Sequence, residues 1–209
     1  MTTHDEDHGS PSPRLRDSRT FEIVIGAGVL LISIVSIFIA VSANRTQERM
    51  LAASVWPSPL FGTSNAALDG TPQITFDLLN RGVGPARFRW AEVLYDGKPV
   101  NSAGALLALC CGHEPTREDE PVVFTSGIQH RVVGADEWVV LLRMPRTDPP
   151  APLYTALENA LPKIRFRACY CSVLDECWLL DSSRDDPELV RQCPQEPEVL
   201  WGRRLKKAG

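Results

Sequence analysis

The residues in this chain with the most distinctive chemistry are its six cysteines, Cys110, Cys111, Cys169, Cys171, Cys177 and Cys193. Read as a strand, Ile164 to Cys171 puts Ile164, Phe166, Ala168 and Tyr170 on one face and Arg165, Arg167, Cys169 and Cys171 on the other. Two sulfurs thus project side by side near guanidinium groups. Disulfide formation is the leading reading, because an even set of cysteines in a domain beyond a membrane fits an oxidising compartment. The alternative is soft-metal binding, of copper or zinc, by Cys169, Cys171 and Cys177, with Cys110, Cys111 or His113 as further donors. Thiol redox catalysis ranks third: nearby arginines would depress a thiol pKa, but no Cys-x-x-Cys opens a helix.

Geometry narrows the pairings. Cys169 and Cys171 lie two apart on an extended strand, with Cα atoms ~6.5 Å apart and roughly parallel side chains, which suits a bond poorly. Bridging the neighbours Cys110 and Cys111 would strain the peptide between them. A hairpin with a three-residue loop centred on Leu174 sets Cys171 opposite Cys177 within bridging distance. The expected pattern is Cys171–Cys177, with Cys110 and Cys111 dividing Cys169 and Cys193 between them.

Other chemistry is sparse. The chain has no Gly-x-Ser-x-Gly, no His-Glu-x-x-His, no phosphate-binding loop and no dinucleotide fingerprint. Only His113 and His130 are available for acid–base work outside the N-terminal tail, where His4 and His8 bracket Asp5, Glu6 and Asp7. Asp175 and Glu176 read as a solvated turn, and Arg165 with Arg167 as an exposed polar face. No catalytic residue and no cofactor is expected. The net charge of -4, with basic residues spread along the chain, leaves no footprint for nucleic acid.

These side chains need a scaffold, and its first part is a membrane segment. Ile23 to Val41 holds no charged residue, close to the ~20 residues that cross the bilayer core as a helix. The predicted span is 21–43; a cleaved signal core would be shorter. Arginines flank both ends, so the cysteines set the orientation: N-terminus in the cytoplasm and C-terminal domain in the periplasm. Gly26, Ser33, Ser36, Ala40 and Ala43 form a small-residue stripe through which a homo-oligomer could pack. Residues 1–20 are too polar to bury a core and are expected to be a disordered cytoplasmic tail. Residues 44–56 favour a helical stalk that Pro57 ends; the glycosylation-like triplet at Asn44 lies too near the membrane to count.

From residue 57 to 185 the pattern is one of short strands. Ile74, Phe76 and Leu78 alternate with Thr75 and Asp77, and Asn80 to Pro85 closes a turn. A slip in apolar phase near Trp90 implies a bulge, and Asp96-Gly97 a hairpin. Further strands are expected at 122–125, 129–133, 138–144, 163–173 and 177–180, with helices at 103–109 and 152–161. The fold class is mainly β: one transmembrane helix, then an immunoglobulin-like antiparallel β-sandwich with short helical insertions. Residues 186–209 read as a tail tethered by Cys193.

Glu48 to Pro57 after a lone span, Leu78-Leu79-Asn80-Arg81-Gly82-Val83-Gly84-Pro85-Ala86, Tyr95-Asp96-Gly97-Lys98 and Cys169 to Trp178 together resemble a group of bacterial single-pass envelope proteins, over roughly residues 20–185. The resemblance implies an inner-membrane anchor and a periplasmic β-domain, and brings no activity. The expectation is a non-enzymatic binding or scaffolding module for an envelope protein partner.

Overall fold

In the computed structural model, residues 14–67, 69–113 and 123–203 are described. His4 and His8 lie outside them, within residues 1–13 of the tail, as do residues 204–209. Helix α1 (Arg14–Ser54) runs for 41 residues. It is long and apolar enough to span a membrane, and none of its apolar window is buried. Residues 14–20 therefore belong to the helix and not to a disordered tail, a correction with a simple cause: a run without proline or glycine adds one hydrogen bond per residue to a nucleus already made by the apolar segment. Ser33 and Ser36 donate back to the Val29 and Ile32 carbonyl oxygens, each at 2.8 Å, so their hydroxyls are satisfied within the helix.

The region from Ala52 onward is a separate compact unit. Its strands form two antiparallel sheets. The first runs β1 (Pro59–Ala66), β2 (Pro72–Asn80), β7 (Trp138–Pro145), β5 (Phe124–Thr125). The second runs β10 (Glu188–Val190), β9 (Cys177–Asp181), β8 (Ile164–Cys171), β3 (Ala86–Tyr95), β4 (Lys98–Val100), with β6 (Val132–Val133) also on β3. Helices α2 (Ala103–Cys111) and α3 (Pro152–Ala160) lie between strands in the chain. Both sheets contribute to one core: Phe76 and Leu142 from the first, Val93 and Phe166 from the second. Phe61 of β1 stacks on Phe166 of β8 at 4.7 Å between centroids. Counting α1, helix and strand contents are about equal, so "mainly β" describes the second unit and not the whole chain.

The phase slip in β3 is a bulge between Phe88 and Trp90. It turns Trp90 to the face it shares with Cys169 while Phe88, Ala91 and Val93 stay in the core. Asp96 and Gly97, both at positive φ, make the two-residue turn into β4. The turn after β2 is held by Asn80, which is fully buried. Its Oδ1 accepts from the Ser58 and Gly82 N–H groups, and its Nδ2 donates to the Gly84, Val133 and Gly134 carbonyls.

Candidate functional site

The cysteine face is assembled by three segments. Strand alternation in β8 turns Phe166, Ala168 and Tyr170 to the shared core, leaving Cys169 against Trp90 and Leu200 in a second, smaller cluster. The β8–β9 connection is a tight turn: Ser172 N donates to Glu176 O at 2.8 Å, Asp175 N to Ser172 O at 3.3 Å, and Asp175 takes a positive φ. Cys171 and Cys177 are thereby register partners, Cα atoms 4.0 Å apart, and are joined by a disulfide.

The third segment is the stretch after Asp181. β10 pairs with β9, Trp90 Nε1 donates to Pro194 O at 3.2 Å, and Trp201 N donates to Ala91 O at 3.1 Å. This lays Cys193 over Cys169, at a Cα separation of 5.7 Å, and the two are bonded. Cys110 and Cys111 are bonded to each other, against the expectation that they would divide Cys169 and Cys193. The cause is positional: the C-terminal segment delivers Cys193 to Cys169 directly, leaving the two neighbours at the end of α2 for one another. Residues 188–203 are part of the fold, and Trp201 is buried in the main core.

The result is a compact sulfur group. Cys171, Cys177 and Cys193 have their sulfurs within 4.8 Å of one another, and Cys171 Sγ lies 3.8 Å from Cys193 Sγ. Of the metal-binding set read from sequence, Cys169, Cys171 and Cys177 are all in this face; Cys193 joins them, whereas Cys110, Cys111 and His113 do not. The sequence held one signal for Cys193, its being the sole cysteine in the last segment.

Arg87, Arg89 and Arg167 of this face are paired. Arg87 Nη1 and Arg89 Nη2 lie 3.0 and 3.6 Å from Asp175 Oδ1, so Asp175 anchors the hairpin and is not simply solvated. Arg167 lies 2.9 Å from Glu92 and 3.6 Å from Asp181, which fills the anion position it would otherwise offer. Burial pushes the Glu92 carboxyl above its ordinary range, the Arg167 charge opposing and Asp181 adding to the rise. Burial also acts to raise Asp181, but hydrogen bonds from Ser183 and the charges of Arg167 and Arg165 together hold it below.

A second feature lies where α2 ends. Ser102 caps the helix start by accepting from Ala105 N at 3.2 Å. At its end Gly112 takes a left-handed φ of 63°, and the N–H groups of Gly112 and His113 return to Ala108 O and Leu107 O at 3.2 Å. Beside this cap is an open cavity of about 780 Å³, lined by Cys111 and His113, by Met144 and Pro145, and by Leu153, Tyr154 and Ala156 of α3. The His113 Nε2 is buried and has no hydrogen-bond partner among the described residues. Burial pushes the Tyr154 phenol up, with Glu158 adding and Arg146 opposing, so it stays a protonated donor at neutral pH. The helical period of Leu153, Ala156 and Leu157 was legible in sequence; the cavity it borders was not.

No protein-family model, curated protein or solved structure matches the chain, so the resemblance to envelope proteins rests on its quoted motifs alone.

Proposed function

We propose that this chain is a membrane-anchored, non-enzymatic binding module, with α1 crossing the bacterial inner membrane, its N-terminus cytoplasmic and an immunoglobulin-like β-sandwich in the periplasm. The observation that carries the binding reading is the cavity between the end of α2 and α3. Its volume and apolar walls, with few polar groups, are those of sites for small ligands or for an inserted apolar side chain. The occupant is an apolar group that packs on Met144, Pro145, Leu153 and Ala156. The sandwich reading is supported by the single core that the two sheets share. The envelope location is supported by the exposed apolar helix and the paired cysteines.

The test uses the full chain in lipid nanodiscs titrated with an apolar fluorescent probe, anilinonaphthalene sulfonate. Saturable binding to one site, lost in Ala156→Trp with the fold retained, is expected; binding unchanged in that variant overturns the site. Location is tested separately by a reporter active only outside the cytoplasm, fused after Gly209, together with an alkaline wash of membranes. An inactive reporter, or release by the wash, overturns the topology.

A further inference from the structure

We propose that Cys169, Cys171, Cys177 and Cys193 form one site with two states: two disulfides when oxidised, and a four-thiolate site for a zinc ion when reduced. The proposal goes beyond the binding reading and does not rest on it.

A zinc ion bound to four thiolates at ≈ 2.3 Å sits in a tetrahedron whose sulfur–sulfur edges are ~3.8 Å. The Cys171–Cys193 edge already has that length, 3.8 Å, and belongs to no covalent bond. Cys171, Cys177 and Cys193 converge within 4.8 Å, and Cys169, bonded to Cys193, adjoins that group and supplies the fourth sulfur.

Position and charge agree. Cys169, Cys171 and Cys177 are buried, and Trp90 and Leu200 pack against Cys169, which keeps these sulfurs from water as in structural zinc sites. Cys193 is partly exposed and gives a route in. A zinc ion with four thiolates carries two negative charges, and Arg87, the register partner of Cys171, belongs to the neighbouring strand with Arg89 close behind it. These guanidiniums already favour anions, as their joint hold on Asp175 shows.

A small dithiol reductant attacks each disulfide by exchange, leaving as its own cyclic disulfide; two dithiols supply the four electrons and four protons that yield four thiols. Zinc then displaces those protons to solvent as the thiolates bind.

The experiment takes the full chain in detergent micelles, reduces it with dithiothreitol without oxygen, removes the reductant and adds zinc. One zinc per chain is expected to survive desalting. It should protect Cys169, Cys171, Cys177 and Cys193 from alkylation in peptide mapping while Cys110 and Cys111 react. Cys193→Ser should hold zinc at least about tenfold more weakly, and His113→Ala should hold it unchanged. Loss of zinc on desalting, or retention with Cys110 and Cys111 protected instead, overturns the proposal. So does a reduced chain that unfolds and stays unfolded with zinc, because a formed site would restore the fold.

Discussion

Asn80 Nδ2 lies 2.8 Å from the Gly84 carbonyl oxygen, so the residue that ends β2 also fastens the far end of its own turn. The same amide reaches across to Val133 and Gly134, tying that turn to the β6 loop. Asn80→Ala leaves buried backbone groups without partners and should cost about 3 kcal/mol. Asn80→Asp keeps the shape but aims a carboxylate oxygen at three carbonyls, and should cost more. Thermal unfolding of both variants, followed by tryptophan fluorescence, measures the order.

The same turn sets a glycine prediction. A Cβ on Gly84 would collide with the Val55 backbone, whereas one on Gly62 of β1 meets nothing within 4 Å. Gly84→Ala should therefore destabilise by about 2 kcal/mol or more, and Gly62→Ala by less than about 0.5 kcal/mol. Equal melting shifts for the two would contradict this packing.

Peptide mapping without reduction should recover Cys169 linked to Cys193, Cys171 to Cys177, and Cys110 to Cys111. Loop-closure entropy gives the longer link the larger effect, roughly 3 to 4 kcal/mol against about 2 for the hairpin. Cys193→Ser should accordingly lower stability more than Cys177→Ser. Recovery of Cys110 or Cys111 linked to Cys169 would refute the pairing.

Glu92 should make stability depend on pH in a direction opposite to that of most carboxylates. Its folded pKa stands above the ordinary 4.5 because burial disfavours the charge. Between 4.5 and that raised value the folded state binds more protons than the unfolded state, so stability falls as pH rises through this window. Glu92→Gln removes this contribution. The stability of the wild type relative to Glu92→Gln should decline across the window, as read from melts at a series of pH values; a rising difference would show the charged form to be favoured.

How far the sequence reveals this fold depends on where each element gets its stability. β2, β7 and β8 are legible because one face of each is buried and alternation records it. β1, Pro-Leu-Phe-Gly-Thr-Ser-Asn-Ala, is an edge strand held by its ladder to β2, and a ladder of backbone bonds leaves no mark on side-chain types. The C-terminal segment is misread for a related reason: prolines and charges dominate it, while a few residues, Leu200 and Trp201, do the packing. At the cysteine face, the Cys171–Cys177 register follows from local turn geometry. The position of Cys193 depends on a path of irregular chain that no periodicity encodes.

Trp201 has a consequence for the order of events in synthesis. It is buried in a core begun more than a hundred residues earlier, its N–H donating to Ala91 of β3 and its carbonyl oxygen accepting from Gln129 at 2.9 Å. A nascent chain halted before this residue lacks a wall of its own interior. The domain therefore cannot finish folding piecemeal as it emerges; its final collapse waits until residue 201 is free of the ribosome and of any channel the chain is threaded through.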